Sequence, residues 1–490
     1  MYAAPHEWQR PAAVESAEDS VLRPGINAAN DHADNTHAFL YRRLMEGAPD
    51  AALRDEAAAF LCSELERTRH DEDDLPHSPS QLADWMQANT QTVHGKYAAY
   101  LADRKAGAPR RFFSNRAHAL FVLRNVAPTK LVDGAWLYGL MRHAANPKMS
   151  DLVRTYVEEL GEGDATKNHV VLYRALLNRY NLDPLDDIED RFYRQGAIQL
   201  ALGWNAEEFL PEAIGFNLGY EQLPLHLLIT AHELNELGID PYYFTLHVTV
   251  DNGDTGHARR ACQAVIDMLP RLDDGGQFWE RVRAGSRLAS AGAGTCDAVT
   301  GFDIDAEVVR IFTHKSSMGS GAHSDYCRVA GKTVNEWLAQ PMGMSAFLQA
   351  LEAAGWIKRG LPADQSRFWG LLQGPRAEMF GVFSNYELQV IHDWIRGDAS
   401  SDGAAYNEAP PSAPRPRRAS FRALQRVRPD SHAAPGVDLL DPDLSVLKTR
   451  LAQADPGQRA DLLVDMMSPA MHWTPAGLFA TREFWRDRAA

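Results

Sequence analysis

The chain reads as an all-α protein, and three observations lead to that class. Most segments from His37 onward carry apolar residues at three- and four-residue steps, the period of a helix with one buried face. No series of alternating apolar and polar runs recurs, as successive strands would require. The breaks between segments hold Pro, Gly and short polar side chains of the kind that start and stop helices.

Residues 1–36, rich in Ala, Asp, Asn and Pro without a sustained period, are expected to be a mobile N-terminal arm. Residues 37–109 make an N-terminal helical region: AFLYRRLM, then DEAAAFLCSELERT, then a polar break whose Ser80 can cap QLADWMQANTQTVHGKYAAYLADRK. Pro128 is expected to start or kink a helix carrying Asp133, Trp136 and Tyr138. Helical pattern lies on both sides of a break at Gly161 and Gly163, and continues through GAIQLALGW and LPEAIGFNLGYEQLPLHLLITAHELNELG. A Gly/Ala-rich connection opens a helical extension over residues 286–397. Residues 398–437, rich in Pro, Ser, Ala and Arg, read as a flexible basic linker. Residues 438–490 return to helix, and Trp473, Phe479 and Phe484 favour a docked tail.

Composition narrows the function. With 490 residues, 45% hydrophobic and 23% charged, the chain has the core of a globular protein of two or three domains. A formal charge of -15 argues against nucleic acid or an anionic membrane as main partner. Cys62, Cys262, Cys296 and Cys327 show no CxxC spacing, so a reduced, cytoplasmic protein without a zinc ribbon is expected. No stretch approaches roughly 18 consecutive apolar residues, and the first residues lack a basic segment followed by an apolar one; neither a membrane span nor a signal peptide is expected.

Chemistry-bearing residues concentrate in Tyr242 to Cys262, YYFTLHVTVDNGDTGHARRAC, which holds His247, Asp251, Asp254 and His257. On a helix, steps of roughly 100° would place His247, Asp251 and Asp254 within about 60° of one another, with His257 one turn further on. Imidazole and carboxylate on one face suit non-haem iron, with zinc or manganese as rivals. Local propensity points elsewhere. Val248, Thr249 and Val250 are β-branched and DNG is a turn signal, so a strand entering a hairpin is the alternative.

Other candidates lie upstream. Glu159 and His169 flank the glycine break, where a kink would fold them towards one point; otherwise they are a solvated helix residue and a helix cap. Glu212 sits in an apolar helix on a face shared with Gly215 and Gly219, where a carboxylate is costly unless paired or metal-bound. Glu221 lies about 180° away on the same wheel, so one of the two points inward, and Glu212 is preferred. Asp133 is either an inward acid or an N-cap after Pro128. Several motifs fail: HELNE at 232–236 lacks the second His of HExxH, MGSGAHSD is not GxSxG, and no phosphate-cradling glycine loop is present.

In order and spacing, Asp133, Glu159, His169, Glu212, His247, Asp251 and His257 resemble the ligands of the haem-oxygenase-like di-iron oxidases and oxygenases, the iron-containing redox enzymes. VEELGEGDATKNHVVLY, FLPEAIGFNLGYE and LHVTVDNGDTGHA carry the likeness, which covers roughly residues 110–285. The resemblance implies a haem-oxygenase-like bundle with helical extensions at both ends, and helix rather than strand for 242–268. It implies two Fe ions, with Glu159 and His169 as a Glu–His pair and Glu212 as the bridging carboxylate. Asp133 stands where the family offers Glu, and the last histidine falls at His257 rather than at Asp254, which leaves either as the final ligand. The implied activity is O2-dependent oxidation of a small, amino-acid-derived molecule or a fatty acid, by N-oxygenation, desaturation or C–C cleavage, in specialised metabolism. Trp136, Tyr138, Phe216 and Tyr220 are candidates for the substrate pocket, and Arg259 and Arg260 for a substrate carboxylate. The rival readings are a metal-free helical binding protein and a single-metal enzyme. The extra helices would roof the pocket or form a homodimer interface.

Overall fold

The computed structural model describes residues 36–397 and 440–489, apart from 183–186, 251–255, 273–274, 320, 322, 325 and 375–376. The expected arm at 1–36, save Thr36, and the expected linker at 398–437 lie outside the described residues, as do Asp251 and Asp254. The described chain is helical, with one two-stranded hairpin, Arg328–Val329 against Lys332–Thr333.

Helices α1 (Thr36–Met45), α2 (Ala51–Arg67) and α3 (Leu82–Lys105) open the chain. Asp50 caps α2 by accepting from the Leu53 N–H at 2.8 Å. Ser80 does not cap α3. Ser78 instead caps a 3-10 turn over Pro79–Gln81, because Pro79 has no N–H to lose at the first helical position. The central bundle follows: α4 (Arg116–Asn125), α5 (Ala127–Lys130), α6 (Ser150–Glu159), α7 (His169–Arg179), α8 (Arg194–Trp204), α9 (Leu210–Tyr220), α10 (Leu225–Glu236), α11 (Tyr242–Val250), α12 (His257–Met268) and α13 (Gly276–Ala289).

The helix expected after Pro128 stops at Lys130. A turn carries Asp133, Gly134 takes φ +81°, and a 3-10 helix over Ala135–His143 holds Trp136 and Tyr138. Backbone contact explains the break: a side chain at Gly134 would press on Glu159 Cβ at 3.0 Å, and one at Gly203 of α8 would strike the Ala135 carbonyl at 2.1 Å. The 3-10 segment is thereby pinned between α6 and α8.

Helices α9 and α13 pack backbone to backbone. A Cβ at Gly215 would lie 1.8 Å from the Val282 carbonyl oxygen, and one at Gly285 would lie 2.0 Å from that of Glu212. The small-residue face of α9 is thus a helix–helix seam, which decides the fate of Glu212 below.

The remaining helices, α14 (Thr295–Thr300), α15 (Ile304–Gly319), α16 (Val334–Leu338), α17 (Met344–Ala353), α18 (Arg367–Gln373) and α19 (Asn385–Arg396), pack through α14 and α19 on α4. Asp393 accepts from the Ala117 N–H at 2.9 Å, and His118 bonds the Val299 carbonyl at 2.9 Å. The C-terminal helices α20 (Pro442–Gln453), α21 (Pro456–Met466) and α22 (Pro475–Ala489) return to the centre. Tyr156 donates to the Met467 carbonyl at 2.5 Å, and the Arg174 guanidinium lies 3.8 Å from the centre of the Trp473 ring.

Candidate metal centre

Asp133, Glu159, His169 and His247 present one donor atom each, all within 4.8 Å of one another, and Glu159, Glu221 and His257 form a second such group. All six residues are buried. Glu159 belongs to both sets. Its Oε2 lies 2.5 Å from His169 Nδ1, and its Oε1 lies 3.2 Å from His257 Nδ1.

Local sequence explains the convergence. Gly161, Glu162 and Gly163 all take positive φ, at 64°, 54° and 81°, so the chain reverses sharply at the end of α6. A Cβ at Gly161 would lie 2.4 Å from the Asn168 nitrogen. Asn168 then caps α7 by accepting from the Val171 N–H at 3.0 Å, and its amide donates to the Leu160 carbonyl at 3.2 Å. His169, the first residue of α7, is thereby aimed back at Glu159.

Helix wins over strand at Tyr242–Val250 despite its β-branched residues. Asp240 accepts from the Tyr242 N–H at 3.0 Å, and Tyr243 is buried against Tyr173, ring centres 4.7 Å apart. Tertiary anchoring of this kind outweighs a propensity difference of about 1 kcal/mol. Tyr243 donates to Asp133 Oδ2 at 2.6 Å. His247 Nδ1 donates to the Tyr243 carbonyl at 2.8 Å, since a carbonyl can only accept; Nε2 is left facing Asp133 Oδ2 at 3.1 Å.

His257 is oriented the other way round. Its Nδ1 faces Glu221 Oε2 at 3.0 Å and Glu159, while Nε2 lies 3.1 Å from Glu158 Oε2. Glu158 is also bonded to Arg260 and, at 2.8 Å, to Arg154. This carboxylate behind an imidazole fixes the ring and its tautomer, as outer carboxylates do for metal-bound histidines.

Charge is balanced by protons and by one lysine. Burial would push His169 down, but Glu159 and Asp133 outweigh it and hold the imidazole up at about 10. Burial would raise Glu159, but His169 and His257 hold it at about 2. Asp133 is likewise held well below the usual carboxylate range, by Lys130, His169 and His247 against burial. Buried Lys130 stays charged because Tyr220, Asp133 and Glu159 outweigh its own desolvation.

The donor set fits a transition metal. His169 Nδ1 is buried and makes no well-directed hydrogen bond, although carboxylate oxygens stand 2.5 and 3.7 Å away. Buried carboxylates and imidazoles converging in this way are costly unless protons or a metal cation join them. Imidazole with carboxylate suits iron, and no cysteine takes part among the described residues.

Five of the seven expected ligands come together: Asp133, Glu159, His169, His247 and His257. Asp251, and Asp254 as rival to His257, are outside the described residues. Glu212 is a correction. It lies on the α9 seam, and its carboxylate is forked by Arg281 of α13 at 2.6 and 2.7 Å. Glu221, on the opposite side of α9, reaches the cluster instead, and the shared carboxylate is Glu159 rather than Glu212. Trp136, Phe216 and Tyr220 form one aromatic group, ring centres 4.8 to 5.4 Å apart. Tyr138 departs from it and packs on Trp204, 4.9 Å between centres. Arg260 is taken by Glu158, and Arg259 lines a surface cavity of about 560 Å³ between α3 and α12.

Sequence reasoning missed Glu158, Tyr243 and Lys130. Two signals were present: Tyr243 stands one helical turn before His247, and Lys130 is a lone cation in the apolar stretch around Pro128.

Inward carboxylates and imidazoles in a helical bundle are the arrangement from which bundle proteins build metal sites. Residues 120–290, the segment that carries the cluster, match the family model described as iron-containing redox enzyme, which supports a haem-oxygenase-like family. The match supports an iron-containing oxidoreductase. No curated protein and no solved structure matches the chain. Among the described residues, no helix is long and apolar enough to cross a membrane.

Proposed function

We propose that Asp133, Glu159, His169 and His247 hold one iron, that Glu159, Glu221 and His257 hold a second, and that the protein is an O2-dependent oxidase or oxygenase of a small organic substrate. The carrying observation is Glu159, whose two oxygens face different histidines in different donor sets. Iron held by these residues would supply the electrons for O2 reduction.

The protein's own groups set the conditions. Tyr243 and the Tyr243 carbonyl fix Asp133 and His247, and Glu158 fixes His257, so these three donors are held before metal arrives. The burial of all six donors keeps bulk water from the reacting centre. Trp136, Phe216 and Tyr220 form a buried apolar wall beside Lys130, next to the centre.

Anaerobic Fe(II) titration followed by Mössbauer spectroscopy and O2 exposure tests this reading, with a panel of amino acids and fatty acids. Two irons per chain and substrate-dependent O2 uptake are expected. A single iron would favour a mononuclear enzyme, for which Asp133, Glu159, His169 and His247 already form a complete donor set. No iron under any condition would refute the centre.

A further inference from the structure

Beside the metal donors lies a second buried polar group that the ligand set does not use. Gln199 of α8 is fully buried, and its amide makes no well-directed hydrogen bond, though it is in polar contact with the Tyr220 hydroxyl. Asn217, one turn before Tyr220 on α9, accepts from the Trp136 indole N–H at 3.0 Å, while its own Nδ2 has no partner. Lys130 reaches the same hydroxyl, with Nζ 3.3 Å from Tyr220 Oη. Three elements thus bring an ammonium, two amides and a phenol to one place. Buried amides left unmade cost about as much as a lost hydrogen bond, and native proteins rarely tolerate several together.

We infer that Lys130, Gln199, Asn217 and Tyr220 form a receptor for the carboxylate of the substrate, next to the Asp133 side of the metal centre. This rests on the proposed centre. Asp133 and Glu159 are the acids whose charge reaches Lys130, but among the described residues its ammonium makes no ion pair with either. The Lys130 ammonium keeps a long bond to a neutral hydroxyl and the faces of the Tyr220 and Tyr243 rings, 5.5 and 6.0 Å from their centres. A buried cation in that position calls for an anion. Water would satisfy the amides but not the charge. A carboxylate supplies one negative charge and about four acceptor positions, which matches one cation surrounded mainly by hydrogen-bond donors. Arg259 and Arg260, the cations foreseen for this task, stand on the α12 side, with Arg260 held by Glu158.

Calorimetric titration of the full-length protein, loaded anaerobically with Fe(II) and assayed for iron content, tests the receptor. The probes are acetate, butyrate and octanoate, each against its amide. Wild type is expected to prefer at least one carboxylate over its amide by roughly tenfold or more, and Lys130→Met to lose that preference while keeping its iron. A preference that persists in Lys130→Met would mean that the carboxylate sits on the metal itself, and would overturn the receptor. Iron-loaded wild type without any preference would overturn it too, leaving the metal centre intact. Wild type that takes up no iron refutes the centre and the receptor with it. Should Lys130→Met fail to fold or to hold iron, Gln199→Leu decides: carboxylate affinity must fall roughly fivefold, and an unchanged affinity overturns the inference.

Discussion

Glu159 Oε1 lies 3.2 Å from His257 Nδ1, and this contact joins two donor sets that would otherwise be separate sites. The other oxygen of Glu159 faces His169. The end of α6 and the starts of α7 and α12 therefore meet on one carboxylate.

That geometry separates Glu159 from Glu212 by experiment. Glu159→Ala is expected to leave less than one iron per chain in anaerobic titration, because it removes a donor from both sets. Glu212→Ala should change iron affinity less than twofold. It should cost stability of about 1 kcal/mol or less, since its Arg281 partner is half solvent-facing and the pair is screened.

Tyr243→Phe removes only the hydroxyl that donates to Asp133. Iron affinity of the first set is expected to fall about 10–100-fold, with the helical content unchanged by circular dichroism.

Metal uptake should depend on pH. In the metal-free protein His169 holds its proton up to about 10, above its ordinary 6.5, and metal must displace that proton. Apparent iron affinity should therefore rise about tenfold per pH unit between pH 7 and 9, as measured by competition with a chelator.

The metal-free fold should respond with the opposite sign. A histidine whose value is raised on folding stabilises the fold fully below 6.5 and loses that contribution as pH rises towards 10. Glu158 is a depressed carboxylate: burial raises it, but His257, Arg154 and Arg260 hold it at about 2, so its contribution is present above 4.5 and lost as pH falls towards 2. The Tm of metal-free protein should decline on both flanks, and iron should remove the alkaline decline.

Gly163 carries the docking of the C-terminal helix. It takes φ +81°, and a Cβ there would lie 2.4 Å from the Leu478 carbonyl oxygen. Gly163→Ala is expected to destabilise by about 1–3 kcal/mol and to expose residues 475–489 to limited proteolysis before the rest of the chain.

Much of this was legible in the sequence. Helical periodicity gave the all-α class, and the glycine break at 161–163 announced that Glu159 and His169 could meet. The wheel of α9 showed that Glu212 and Glu221 cannot both face inward. The choice between them was not legible: Gly215 and Gly219 mark a close helix approach, and only the packing of α13 reveals that this approach is the outer seam.

By itself the sequence determined the class, the helical segments, and the breaks that let Glu159 and His169 approach each other, because periodicity, caps and glycine conformations are local. Tertiary structure decided the helix at Tyr242–Val250, the exchange of Glu212 for Glu221, the shared role of Glu159, and the arrival of Lys130 and Gln199 at Tyr220. Each of these depends on which residue distant in the chain lies opposite, and burial makes that neighbour, rather than local propensity, set the energy.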